Sequence, residues 1–202
     1  MPCYYPIDGW RAAARNENGK RPIVFNRNEG LVDFPVTVPC GRCIGCRLDR
    51  SREWAIRCMH ELKSHEAASF ITLTYDQDNL PLDGSLHVED WQSFMKRFRK
   101  RVGVKLRYFM GAEYGENQDI TSISRLGRPH FHAIIYGWDF PDRKPWKKDG
   151  LHVMYRSELL EALWPYGYST IGSVTFDSAG YVARYCTKKI GGEEADEHYQ
   201  SC

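Results

Sequence analysis

The chain has 202 residues, 42% hydrophobic and 13% aromatic, a composition that excludes an intrinsically disordered protein. Lys and Arg number 28 against 26 Asp and Glu, so the formal charge of +2 excludes binding through bulk cationic character. No run approaches the ~18 apolar residues that span a bilayer, and no basic segment followed by an apolar one opens the chain, so a reducing cytosol is expected. There, the seven cysteines are candidates for metal ligands more than for disulfides.

Residues 1–46 are rich in Pro, Gly, Asn and Arg with little periodicity. They are expected to form an irregular arm with short strands at 22–25 and 34–38. The arm carries Cys40-Gly41-Arg42-Cys43-Ile44-Gly45-Cys46, two overlapping Cys-x-x-Cys pairs. Thiolates so spaced leave one tight turn toward a single ion. Three ligands need a fourth, for which Cys3 is the first candidate and Cys58 and His60 are alternatives. Four cysteines suit a structural Zn²⁺ that staples the arm to the first helix, and the spacing is also compatible with an iron–sulfur cluster.

Residues 47–67 read as a helix, with Leu48, Ala55, Ile56, Met59 and Leu62 near one face. Phe70-Ile71-Thr72-Leu73-Thr74-Tyr75 alternates as a strand does, and 76–85 is a loop. Trp91, Phe94, Met95, Phe98 and Val102 recur at helical spacing and form a core stripe. On the other side of that helix Lys96, Arg97, Arg99, Lys100 and Arg101 begin a basic block that continues to Lys105 and Arg107. A second block, Arg143, Lys144, Lys147 and Lys148, falls in a Pro-, Lys- and Trp-rich loop. Such patches can bind phosphate backbones, although each alone is more often a solvated face. Strands are expected at 106–113 and 168–176, a short helix at 157–163 with Ser157 as N-cap, and a last helix from Ser178 to about residue 190, stopped by Gly191-Gly192. The expected fold is α+β: a largely antiparallel central sheet, helices packed mainly on one face, and the irregular Cys-containing arm.

The chemistry concentrates in Gly127-Arg128-Pro129-His130-Phe131-His132-Ala133-Ile134-Ile135-Tyr136. On a strand His130 and His132 share one face while Phe131 points to the other, and two neutral imidazoles side by side can hold a divalent ion. Glu113 ends the preceding strand and would join them if the two strands pair, with Glu116 and Asp119 as alternative carboxylates. A carboxylate with two imidazoles suits Mg²⁺ or Mn²⁺ and leaves positions open for a phosphate. On the last helix Tyr181 and Tyr185 are four residues apart on one face, with Lys188 three further on. A phenol attacks phosphorus poorly at neutral pH because its pKa is about 10, and a nearby cation eases that attack.

His-hydrophobe-His on a strand, an upstream Glu and Tyr-x-x-x-Tyr-x-x-Lys on a later helix resemble the HUH endonucleases. The two-tyrosine form is similar to the rolling-circle replication initiators of small single-stranded DNA phages, and Phe70–Tyr75 resembles that family's first motif. Met1-Pro2-Cys3 and Pro39-Cys40-Gly41-Arg42-Cys43 resemble the gokushovirus-type microvirus branch. The resemblance implies an HUH/RRM-like domain over 47–192 following the arm at 1–46, with 193–202, carrying Glu193, Glu194, Asp196 and Glu197, as an acidic tail. It implies a site-specific single-strand DNA nickase and ligase that starts rolling-circle replication in the host bacterial cytoplasm. Glu113, His130 and His132 would hold the ion, Tyr181 and Tyr185 would form a 5′-phosphotyrosine, and Lys188 would stabilise phenolate or phosphate. Arg128, beside the histidines, is either a phosphate contact or, slightly favoured, an ordinary loop arginine; Lys189 is a further DNA-contact candidate, and a host helicase and polymerase would be partners. Relatives usually continue past the position of Cys202, and a missing C-terminal portion would bear on origin recognition and host-helicase contacts more than on the chemistry. A non-catalytic zinc-stapled DNA-binding protein, and a relaxase or transposase with the same chemistry, are the alternatives.

Overall fold

The structure, a computed structural model, describes residues 3–82, 84–115, 127–150 and 152–187. The chain divides into two compact units, Met1–Arg50 and Ser51–Cys202.

In the first unit β1 (Ile7–Ala12) lies between β2 (Ile23–Val24) and β3 (Gly30–Val38) in an antiparallel sheet. The sequence suggested little regular structure here beyond the second and third of these strands. β1 was missed because Ile7-Asp8-Gly9-Trp10-Arg11-Ala12 alternates weakly and buries little, with Gly9 and Ala12 its only fully buried positions. The helix α1 (Ile44–Leu62) starts at the cysteine segment, and from Ser51 onward it belongs to the second unit.

The second unit is built on a six-stranded antiparallel sheet in the order β5-β6-β4-β9-β8-β7. Its strands are β4 (Ala68–Tyr75), β5 (Arg107–Tyr114), β6 (Pro129–Tyr136), β7 (Lys144–Asp149), β8 (His152–Arg156) and β9 (Gly167–Gly172). The helices α2 (Val88–Val102), α3 (Glu158–Leu163) and α4 (Phe176–Thr187) complete it.

β4 shows how the sheet is fixed. Its residues alternate strictly between half-buried and fully buried, so Ser69, Ile71, Leu73 and Tyr75 face one core while Phe70 and Thr72 face the other side. The first core packs Ile71, Leu73 and Phe131 against Trp91, Phe94 and Phe98 of α2 and Leu160 and Leu163 of α3. The i, i+3, i+4, i+7 spacing of Trp91, Phe94, Met95 and Phe98 buries all four, and Glu89 and Asp90 in the first turn with Arg99, Lys100 and Arg101 in the last complement the helix dipole. The second core sets Ala55 and Cys58 of α1 and Ala179 of α4 against Ile134 and Tyr136.

The α+β class and the large antiparallel sheet are as expected, but the helices divide between both faces of the sheet rather than lying mainly on one. β6 is the reason: from Phe131 to Tyr136 every residue is buried, so it needs cover on each side. The expected loop at 144–149 is also different, since it forms the edge strand β7. Its Lys144, Pro145, Lys147 and Lys148 are what an unpaired edge carries to discourage further pairing, and they hide the alternation that would mark a strand. Ser157 caps α3 as expected, its hydroxyl accepting from the Leu160 N–H at 3.1 Å.

Candidate active site

The antiparallel pairing of β5 and β6 places Glu113 directly opposite His130 and Gly111 opposite His132. On the other flank Thr72 of β4 lies opposite His132. The sheet therefore brings Glu113, His130 and His132 together on the face that α4 covers, and one ligand atom from each lies within 4.8 Å of the other two. His132 Nε2 is 2.9 Å and His130 Nε2 3.4 Å from Glu113 Oε1. Thr72 Oγ1 is 2.9 Å from the other nitrogen of His132, Nδ1.

α4 delivers the tyrosines. It packs on β5 at Gly111, where an added Cβ would come within 2.9 Å of the Val182 carbonyl and 3.3 Å of Tyr185 Cβ. Only glycine allows so close an approach of helix to strand. Val182 and Ala183 are buried, so Tyr181 and Tyr185 turn toward the histidines. The Tyr181 hydroxyl donates to Glu113 Oε1 at 2.9 Å. The two phenol rings are 4.8 Å apart, and they lie 4.9 Å (Tyr181) and 5.7 Å (Tyr185) from the His132 ring. The Arg184 guanidinium stands 5.6 Å from the centre of the Tyr181 ring.

The electrostatics favour a cation among these groups. Burial lowers the pKa of His130, and burial with the neighbouring His130 pushes His132 down to about 4, against the opposing pull of Glu113. Both imidazoles are neutral at physiological pH and keep a lone pair for a metal. Glu113, with its side chain only 12% exposed, is thus a carboxylate buried among neutral donors. Two imidazole nitrogens and a carboxylate oxygen are a donor set that could hold a divalent cation. Burial also raises both phenols, Tyr185 further through Tyr181 and the Glu113 carboxylate, so both are protonated at rest. Beside the site a cleft of about 520 Å³ opens between α4 and the β4–β9–β8 part of the sheet, reaching from His132 and Tyr181 past Thr170 and Arg184 to His152.

Residues 68–190, more than half of the chain, match the family model "Replication-associated protein ORF2/G2P". The chain belongs to this family. It is 37% identical over 212 aligned residues to the Replication-associated protein VP4 of Bdellovibrio phage phiMH2K, which covers 98% of this chain and 62% of the relative. It is 33% identical to the Replication-associated protein ORF2 of Spiroplasma virus 4, over 77% of this chain and 49% of the relative. It is 34% identical to the Replication-associated protein ORF4 of Chlamydia phage 1, over 78% of this chain and 39% of the relative. The chain thus spans between about two-fifths and three-fifths of the length of these curated relatives. No solved structure matches it.

Of the residues singled out in the sequence, the structure brings together Glu113, His130, His132, Tyr181 and Tyr185. Lys188, Lys189, Glu116, Asp119 and the acidic tail lie outside the described residues. Arg128 is engaged within the protein: its guanidinium donates to the Tyr75 carbonyl at 2.9 Å and to Gln77 Oε1 at 3.1 Å, tying the start of β6 to the end of β4. The basic block of α2 sits on the opposite face of the sheet from the histidines, and Arg97 donates to the Leu163 carbonyl. Lys144 and Arg143 of the second block pair with Glu158 and Asp139. Neither block converges on the site.

Thr72, Gly111 and Arg184 were not singled out. Arg184 is three residues past Tyr181, a spacing that put it on the same helix face and could have flagged it. Thr72 and Gly111 depend on which residue each strand sets opposite His132, which no local pattern reveals. In the first unit Cys3, Cys40, Cys43 and Cys46 also converge, with their sulfurs within 4.8 Å of one another. Cys58 is buried in the second core instead.

Proposed function

We propose that this chain is the nicking and joining module of a phage replication initiator, acting on single-stranded DNA at an origin. The observation that carries the reading is that Tyr181 donates a hydrogen bond to the same carboxylate oxygen that faces His130 and His132. A nucleophile is thereby held beside a phosphate-activating site. The family's replication-associated proteins support the biological setting. No helix among the described residues is long and apolar enough to cross a membrane, and the expected setting is the cytoplasm of a bacterial host.

Bound by Glu113, His130 and His132, Mg²⁺ or Mn²⁺ would polarise the scissile phosphate and neutralise its developing charge. The protein's own groups do the rest. A single strand lies in the cleft along α4, with Arg184 near its phosphates and Tyr181. The phenol oxygen of Tyr181 or Tyr185 forms a bond to phosphorus as the bond to the 3′ oxygen breaks. The phenolic proton leaves toward Glu113 Oε1 or water, and the 3′ oxygen departs as a hydroxyl with a proton from solvent. The products are a 5′-phosphotyrosine and a 3′-hydroxyl that a host polymerase would extend while a host helicase unwinds. The phosphodiester energy stays in the covalent link, so no nucleotide triphosphate is spent. When the origin is regenerated the second tyrosine attacks it, and the freed 3′-hydroxyl attacks the first phosphotyrosine, closing the circle and restoring the phenol.

The test uses the full chain with labelled single-stranded oligonucleotides tiling the encoding viral genome, in Mn²⁺, Mg²⁺ or EDTA. Products are resolved on a denaturing protein gel. The expected result is a metal-dependent covalent adduct that Tyr181→Phe and Tyr185→Phe each reduce and the double variant abolishes. Binding without an adduct in every metal, for every oligonucleotide, would overturn the reading in favour of a DNA-binding protein without nuclease chemistry.

A further inference from the structure

The first unit has almost no core of its own. Among its described residues the buried apolar side chains are those of Ala12 and Cys46. β2 has two residues, and Phe25, Val32 and Phe34 stand exposed. A sheet so thinly covered does not hold its shape by burial alone, and small units of this kind need a staple. The staple is at hand where β1 and β3 begin and end. Cys3 precedes β1, Cys40 follows β3, and Cys43 and Cys46 lie at the start of α1, so a joint ligand would close the whole sheet into one loop.

The four sulfurs lie within 4.8 Å of one another, and two of their separations match those of a tetrahedral centre. Zinc–thiolate bonds of about 2.3 Å place sulfurs about 3.8 Å apart across a tetrahedron. Here Cys40 Sγ is 4.0 Å from Cys46 Sγ, and Cys43 Sγ is 3.9 Å from Cys3 Sγ. All four are free thiols, far from the roughly 2.05 Å of a disulfide bond. An iron–sulfur cluster would interpose iron and sulfide between the thiolates and hold them further apart. The backbone is arranged for thiolates as well. Cys3 Sγ accepts from the Cys40 N–H at 3.3 Å, Cys40 Sγ from Cys43 at 3.4 Å, and Cys43 Sγ from Tyr4 at 3.4 Å and Cys46 at 3.5 Å. Gly41 makes the turn possible by taking φ 74°.

We propose that Cys3, Cys40, Cys43 and Cys46 form a four-thiolate structural zinc site that holds the N-terminal sheet together. With all four positions filled by protein the site has no opening for substrate, and it is independent of the Glu113–His130–His132 site. The full chain, purified under reducing conditions and dialysed against EDTA to strip Mg²⁺ and Mn²⁺, is assayed for metal content. One zinc per chain is expected to remain and to be released by a thiol-modifying reagent. Exchange with Co²⁺ is expected to give thiolate-to-cobalt charge-transfer absorption and intense tetrahedral d–d bands. The His130→Ala/His132→Ala variant should keep both signals, and Cys40→Ser or Cys43→Ser should lose them. The wild-type cobalt spectrum decides the matter even if the cysteine variants fail to fold. Absence of zinc, iron in its place, cobalt bands without thiolate charge transfer, or cysteines recovered as disulfides from the reduced preparation would each overturn the proposal.

Discussion

Thr72→Val removes one hydroxyl and leaves the shape of the side chain nearly unchanged. The hydroxyl oxygen is 2.9 Å from His132 Nδ1, and the histidine is 5% exposed, so water cannot easily replace it. A neutral imidazole carries one ring proton. If Nε2 is to offer its lone pair to a metal, the proton must sit on Nδ1, where Thr72 Oγ1 is the acceptor. Without that acceptor the buried N–H is orphaned in the metal-binding tautomer. Losing such a partner typically costs 10–100-fold in metal affinity, or about 1.4–2.7 kcal/mol. Mn²⁺ binding is measured by calorimetry on the EDTA-stripped protein, with circular dichroism as a control for folding. Thr72→Val should bind Mn²⁺ 10–100-fold more weakly, and Thr72→Ser should stay near wild type because it keeps the hydroxyl. Wild-type affinity in Thr72→Val, or equal weakening in Thr72→Ser, would refute the tautomer reasoning.

Gly111→Ala puts a methyl within 2.9 Å of the Val182 carbonyl, so α4 must move away from β5. A displacement near 1 Å of the tyrosines should cost about 10²-fold in adduct formation, while the urea midpoint falls much less than in a core-cavity variant; a rate equal to wild type would show that the helix does not rest on this contact. Asp142 accepts the Leu159 N–H at 2.9 Å and the Ser157 hydroxyl at 2.7 Å at the start of α3, and its replacement by alanine should cost about 1 kcal/mol in urea unfolding at pH 7. Burial pushes the Asp142 carboxyl up, but those hydrogen bonds outweigh it and hold its pKa below the ordinary value. Its contribution is therefore present above the unfolded carboxylate pKa and lost as pH falls through the lower folded value. The difference between wild type and Asp142→Ala should shrink in acid, and a pH-independent difference would contradict this.

What could be read from the sequence follows the reach of each signal. His130 and His132 on one face, and Tyr181 and Tyr185 one helical turn apart, are matters of period two and period 3.6 within a few residues. Glu113 needed one further step, the pairing of adjacent strands, and the structure sets it opposite His130. Thr72 needed the register of β4 against β6, two strands that are neighbours in space but separated by α2 and β5 in sequence. The edge strand β7 escaped because its lysines and proline protect it from pairing and so mask its alternation. The basic blocks were legible as charge but not as placement. Charge runs mark exposed faces, but only the topology decides whether an exposed face lies on the side of the site, and α2 lies on the other side.

The crowding at Glu113 Oε1 makes one more outcome calculable. A carboxylate oxygen has about two lone-pair directions, yet Tyr181 OH and His132 Nε2 both sit at 2.9 Å and His130 Nε2 at 3.4 Å. In the metal-free chain those donors satisfy the buried Glu113 oxygen by hydrogen bonding without cancelling a charge. Were a cation held by these three groups, the two imidazoles would turn from donors into ligands, and the carboxylate would have to serve the metal while still accepting from the phenol. Tyr181 therefore competes with the cation for the same oxygen. Tyr181→Phe should leave Mn²⁺ affinity unchanged or raise it by up to about tenfold, the value of a hydrogen bond to a charged group at the low end. Tyr185→Phe, measured the same way, is the reference. Weaker Mn²⁺ binding in Tyr181→Phe but not in Tyr185→Phe would mean that the phenol oxygen of Tyr181 is itself a ligand. Tyr185 would then be the tyrosine free to attack first.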